Sequence, residues 1–214
     1  MIIGISGKIG SGKSTVCQMI KYIKNVHLLN NMGITIGNTY QDYKKFNNTV
    51  SELVTVPEII EGNEKTNVLE FYEERKMAGL LKEFVATLTN IPLHLLDDQA
   101  FKETHSFLGY TYRQLLQQFG NKAREIDENI WVKYLLREYN KDEKFRVVKR
   151  NWIISDIRYK NEFDICDVVY RVNRLGVKEV NRIEETELDN TDFNAIIDNN
   201  GTLEELFNTC YKLL

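Results

Sequence analysis

The sequence predicts an α/β domain built on a parallel sheet with helices on both faces. Three observations carry this. A short β-branched run, "MIIGIS", opens the chain and feeds straight into a glycine-rich loop. Similar runs recur late, in "NWIISDIR", "DVVYRVNR" and "NAIIDNN". Stretches of helical periodicity separate them. Strands alternating with helices are accommodated by parallel pairing with crossover helices. Ligands of such sheets bind at the carboxyl ends of the strands.

Each element has its own warrant. "KSTVCQMIKYIKN" follows the loop as a helix, with Val16, Ile20 and Ile23 near helical spacing. Residues 30–66 are rich in Asn, Thr and Gly and carry weak periodicity. They read as an irregular excursion with a short helix near 40–53. "EFYEERKMA" alternates, as a strand would, and leads into a helix from about Gly79 to Leu88. "PLHLLDDQAFKETH" reads as one or two short helices. "YTYRQLLQQFGNKAREI" starts a helix at Thr111, with a break expected at Gly120. "ENIWVKYLLREYNKD" is a further helix, with Ile130, Tyr134, Leu135 and Tyr139 available for a buried stripe. "GTLEELFNTCYKLL" closes the chain as a helix. Thr202 and Glu205 there stand at capping-box spacing.

Bulk properties exclude several classes. The 214 residues suit one substantial domain. No apolar run is long enough to span a bilayer, and "MIIGISGK" lacks the marks of a signal peptide. The protein reads as soluble and cytoplasmic, in the host cell's cytoplasm if a phage encodes it. The three cysteines, Cys17, Cys166 and Cys210, show no metal-ligand spacing, and their odd number suits a reducing compartment. Net charge is −3, so the basic excess of a nucleic-acid-coating surface is absent. No nucleic-acid or membrane partner is expected. A small anion remains compatible with a locally positive pocket.

The opening loop supplies that pocket. Gly7-Lys8-Ile9-Gly10-Ser11-Gly12-Lys13-Ser14 fits the pattern G-x-x-x-x-G-K-S/T, the P-loop. Its glycines let the backbone wrap closely round a phosphate and turn N–H groups inward. The following helix aims its positive end at the same anion. Lys13 can reach the β- and γ-phosphates, and the Ser14 hydroxyl can ligate Mg²⁺. Gly7, Gly10, Ser11, Gly12, Lys13, Ser14 and Thr15 are thus the expected ATP–Mg²⁺ site. A glycine turn with a surface lysine is the plainer alternative.

The P-loop alone does not separate kinases, switches and motors. The N-K-x-D motif of a GTPase is missing, since "NKAR" at 121–124 lacks the aspartate. A kinase needs cations that hold two anions in line. In "WIISDIRYKNE", Asp156 falls at the carboxyl end of a strand, where a metal-organising carboxylate belongs. Arg158 and Glu162 follow it. A strand end with a surface ion pair is the competing reading. Arg113 and Arg124 flank "QLLQQFG", and from a helix they either point into a crevice or solvate one face. The histidines His27, His94 and His105 gain no role.

These blocks together resemble the deoxynucleoside monophosphate kinases found mainly in tailed bacteriophages. The resemblance runs in order through "GISGKIGSGKST", "KMAGLLKEFVATLTNIPLHLLDDQAFKE", "TYRQLLQQFGNKAREIDENIWV", "WIISDIRYKNE", "VYRVNR" and "DNNGTLEEL". It implies a single P-loop kinase domain over 1–214, of three-layer P-loop NTPase fold. A helical lid and acceptor-binding region would span about 79–140. It implies transfer of the ATP γ-phosphoryl to a deoxynucleoside monophosphate, giving the diphosphate for DNA synthesis. Lys13, Arg124, Asp156 and Arg158 would carry catalysis, with Ser14 and Asp156 on the metal. Arg113, Gln117, Arg124, Trp131, Arg158 and Glu162 would bind the acceptor, although Trp131 also reads as a core aromatic. Related kinases suggest a homodimer.

The sequence departs from the family pattern twice. An aspartate often follows the P-loop lysine, and here Ser14 stands there. A His-x-Ser-Glu run is replaced by Arg182-Ile183-Glu184-Glu185, leaving Arg174 and Arg182 as cations for a lid. The alternatives are dephospho-coenzyme A kinase, which needs a base for a hydroxyl acceptor and has only Asp42 near, and a non-catalytic nucleotide-binding regulator.

Overall fold

Five parallel strands form one sheet in the order β2-β3-β1-β4-β5. The strands are β1 (Ile2–Ser6), β2 (Tyr72–Arg75), β3 (Asn151–Ile157), β4 (Val168–Asn173) and β5 (Ala195–Asp198). The computed structural model describes residues 1–55, 71–145, 151–177 and 186–214. The lid cation Arg182 and the run 182–185 lie outside these, as do residues 56–66 of the excursion.

Two units divide the chain. The first comprises Met1–Arg75 and Tyr139–Leu214, the second Lys76–Glu138. The first holds the sheet. β1 and β3 are the strands most deeply buried, as their β-branched runs demand. Ile3 and Ile5 point to one face with Ile153, Tyr170 and Ile197. That face is covered by α1 (Lys13–Asn31), α2 (Tyr40–Thr55) and α8 (Leu203–Leu213). Gly4 points to the other face, where an added Cβ would lie 3.2 Å from Val169 and 3.1 Å from Ile157. On that face Trp152 meets Tyr139 edge to face, with ring centroids 5.0 Å apart. Tyr139 belongs to α6 (Ile130–Phe145). The sheet is therefore flanked by helices on both sides.

The alternation in "EFYEERKMA" resolves as β2, the edge strand beside β3. The helix expected near 40–53 is α2, and it is no mere surface loop. Its Tyr43 packs on Tyr22 of α1 and on Phe207 of α8, at centroid distances of 5.3 and 5.5 Å. Asp42 is engaged in starting this helix: its carboxylate accepts the Thr39 N–H at 3.1 Å and the Thr39 hydroxyl at 2.5 Å. The Thr202–Glu205 capping box is formed at the start of α8.

The second unit contains α3 (Gly79–Thr89), a 3₁₀ turn (Leu93–Asp97), α4 (Gln99–Lys102), α5 (Tyr112–Ile126) and the first turns of α6. It covers most of the stretch expected to bind the acceptor. The break expected at Gly120 does not occur, and α5 runs through it. The glycine is there for proximity: a Cβ at this position would stand 3.1 Å from Leu81 Cδ2 on α3. Leu81, Val85, Leu96, Tyr112 and Leu115 form this unit's core. No helix among the described residues is long and apolar enough to cross a membrane.

Candidate active site

The loop from Gly7 to Gly12 joins β1, a central strand, to α1. Gly7, Gly10 and Gly12 have φ of 150°, 84° and 97°, values that side chains rarely allow. A Cβ on Gly7 would come within 2.5 Å of Val172 O and 2.6 Å of Ser11 Oγ. One on Gly10 would meet nothing within 4 Å, so the loop is open at that point.

The 19-residue helix α1 begins without a side-chain cap and without an acidic residue in its first turn. Its leading N–H groups and dipole are thus left for an anion. Lys13 Nζ bends back over the loop and donates to Gly7 O at 2.6 Å and Lys8 O at 2.9 Å. Ser11 Oγ is buried and has no hydrogen-bond partner. A buried hydroxyl left in this way costs stability unless a ligand satisfies it. These features fit a polyphosphate.

β3 brings the second half. Gly4 pairs with Ile154 and Ser6 with Ile157, so Ser155 and Asp156 together face the single residue Ile5. This irregularity lies at the carboxyl end of the strand beside the P-loop, and such bulges re-aim side chains. Asp156 is partly exposed there. Beyond it, the Glu162 carboxylate accepts the backbone N–H groups of Arg158 at 2.8 Å and Tyr159 at 3.2 Å. Glu162 is only 2% exposed. It closes the turn that carries Arg158 and leads into α7 (Lys160–Phe163). Among the described residues no three His, Cys, Asp or Glu gather to hold a metal. A Mg²⁺ carried by a nucleotide needs no such cage.

Residues that sequence reasoning passed over crowd the same end of the sheet. Glu74 of β2 accepts from Ser155 Oγ at 2.7 Å and from Gln18 Nε2 on α1. Arg171 of β4 is nearly buried. It donates to Ser6 Oγ at 3.2 Å and to Asp189 at 2.6 Å. The other Asp189 oxygen lies 3.5 Å from Lys8 Nζ in the P-loop. Asn199 donates to Ser11 O at 2.8 Å. None forms a local motif with the P-loop in the sequence. They share no positional signal either: Glu74 and Arg171 lie within strands, Asp189 in the connection before β5, and Asn199 directly after β5.

Arg113, Gln117, Arg124 and Trp131 lie in the second unit. Arg113, Gln117 and Arg124 fall within roughly 40° of one another around α5, at 100° per residue. Arg113 is held by Glu103 through Nε and by Gln99 at 2.9 Å through its terminal nitrogen. Gln117 and Arg124 are half-buried. Trp131 packs against the unit's apolar cluster, and its indole N–H approaches Gly120 O at 3.4 Å.

A family model described as deoxynucleotide monophosphate kinase matches residues 67–210. The chain belongs to the deoxynucleotide monophosphate kinase family. No curated protein matches it. The matched stretch includes the α5 residues, Asp156, Arg158 and Glu162. The P-loop precedes it, so its assignment rests on the motif and on the geometry of residues 7–14. Family membership makes the protein a kinase acting on deoxynucleotide monophosphates.

Proposed function

We propose that the protein transfers the γ-phosphoryl of ATP to a deoxynucleoside monophosphate, with Mg²⁺, and releases the diphosphate. The observation that carries this reading is the phosphate cradle. An uncapped helix start, three positive-φ glycines and a lysine folded over the loop stand together beside the strand end bearing Asp156.

In this reading Lys13 leaves the loop carbonyls and pairs with the β- and γ-phosphates. Ser14 and Asp156 would hold Mg²⁺. Bound Mg²⁺–ATP supplies the phosphoryl group and charge neutralisation across it. Arg158, with Arg113 and Arg124, holds the acceptor phosphate, since the guanidinium fork matches phosphate oxygens. Gln117 and Trp131 line the base side, and Glu162 belongs to the acceptor site through Arg158. The acceptor is already an anionic oxygen, so no general base is needed. Catalysis is positioning and charge neutralisation.

The deciding experiment measures ADP release from ATP–Mg²⁺ with each deoxynucleoside monophosphate, each ribonucleoside monophosphate and dephospho-coenzyme A. Turnover with at least one deoxynucleotide, and none with dephospho-coenzyme A, is expected. Release with none of the nucleotides would overturn the reading. Equal use of ribo and deoxy forms would overturn its sugar preference.

A further inference from the structure

A side chain from late in the sequence grips the back of the phosphate loop. Asn199 directly follows β5 and is 9% exposed. Its backbone N–H donates to Asn173 O at 2.8 Å, which fastens it to the end of β4. Its side-chain Nδ2 donates to Ser11 O at 2.8 Å in a buried bond. The same amide crowds Gly12, where any Cβ would collide with Nδ2.

The Ser11–Gly12 peptide is trans, because no cis bond occurs among the described residues. In a planar trans peptide the N–H points opposite to the C=O. Holding Ser11 O on Asn199 therefore turns the Gly12 N–H away from β5. We propose that Asn199 is a positioning residue for the donor phosphates, fixing the Ser11–Gly12 peptide in the orientation that offers its N–H to the anion. The inference rests on the reading of the loop as the ATP site.

Two further facts bear on this role. The space beside Gly10 is open, so no neighbouring group packs against the loop at that point. The start of α1 also lacks a side-chain cap that would set the peptide planes from the helix side. Asn199, directly after β5, supplies a side-chain bond to this peptide.

The test compares wild type with Asn199→Asp and Asn199→Ala in the full chain. Three quantities are measured: binding of ATP–Mg²⁺ without acceptor, KM for ATP against KM for the deoxynucleotide, and the melting temperature of the ligand-free protein. Asn199→Asp sets an oxygen against Ser11 O and should weaken ATP binding roughly 10- to 100-fold. Asn199→Ala only removes the bond and should weaken it roughly 3- to 10-fold. The acceptor KM should change by less than about twofold in both, since the lost interaction lies on the donor side.

Wild-type ATP affinity in Asn199→Asp overturns the proposal. So does a parallel rise of both KM values with a fall in melting temperature, which marks a structural role. If Asn199→Asp does not fold, the same split in Asn199→Ala decides. Failure of the wild type itself to bind ATP would instead remove the donor-site reading, and this inference with it.

Discussion

The buried carboxylate of Glu162 holds the backbone N–H of Arg158 at 2.8 Å. The acidic and basic residues of "IRYKNE" are thus joined through the main chain, and the turn that presents Arg158 depends on Glu162. Glu162→Ala strands two part-buried N–H groups and should cost about 1–3 kcal/mol. It should also raise the acceptor KM. Glu162→Gln keeps an oxygen acceptor and should recover most of both losses. Urea unfolding and steady-state kinetics on the two variants check this. Equal losses in both would show that the negative charge matters, not the acceptor.

Lys13→Ala should lower turnover on the order of 10²–10³-fold, the usual loss when a charge-stabilising donor is removed. The fold should survive, because Lys13 is partly exposed and its ammonium bonds to carbonyls of its own loop, Gly7 O and Lys8 O. Circular dichroism together with the ADP-release assay separates the two effects.

Arg158→Lys should raise the KM for the deoxynucleotide well above any change for ATP. A lysine keeps the charge and loses the two-pronged geometry. An equal change for both substrates would place Arg158 on the donor side.

Gly120→Ala tests the close approach of α3 and α5. Alanine favours a helix by about 1 kcal/mol over glycine, but its Cβ would press on Leu81 Cδ2 at 3.1 Å. Overpacking of this kind costs about 1–3 kcal/mol, so net destabilisation is expected. Leu81→Ala removes the obstacle. In that background Gly120→Ala should become stabilising, and a double-mutant cycle by urea unfolding reads the coupling.

The Asp97 carboxylate accepts from both Lys82, at 2.6 Å, and Lys76, at 3.1 Å. Partial burial alone would raise its pKa, but the two lysines outweigh this and hold it below the ordinary value. A depressed folded pKa gives stability that is present above the unfolded value, near 4, and lost as pH falls through the folded one. Asp97→Asn should therefore cost at most about 1 kcal/mol at neutral pH. The difference from wild type should shrink below pH 4. Chemical unfolding at pH 7 and pH 3 makes the comparison.

What was legible in the sequence follows a physical division. β1, β3 and α1 have strong local signals, a β-branched run or a helical stripe, and they stand where expected. The glycine-rich loop was legible as a motif because its pattern is consecutive, and Gly7, Gly10 and Gly12 take the positive φ that pattern expects. Gly120 was misjudged because a glycine needed for close helix packing looks the same in sequence as one that ends a helix. Arg171, Asp189 and Asn199 were passed over for another reason. Each acts on the P-loop from far along the chain, and only the sheet order β1-β4-β5 brings them to it. Trp131 left two readings open in sequence, and its packing on the Leu81–Val85 cluster places it among core neighbours.

The sheet order also dictates a timetable for synthesis. β1 is the first strand made, yet both its partners come late: Ile2 pairs with Trp152, and Ile3 with Val168. At about 5–20 residues per second, the roughly 150 residues between them keep β1 waiting some 7–30 s on the ribosome. Until then the oily opening strand has neither neighbour, and Asn199 has not yet been translated to brace the loop. The glycine-rich loop proposed to hold the nucleotide, near the start of the chain, is therefore among the last parts of the molecule to take shape. A nascent chain halted before β4 should be unable to retain nucleotide.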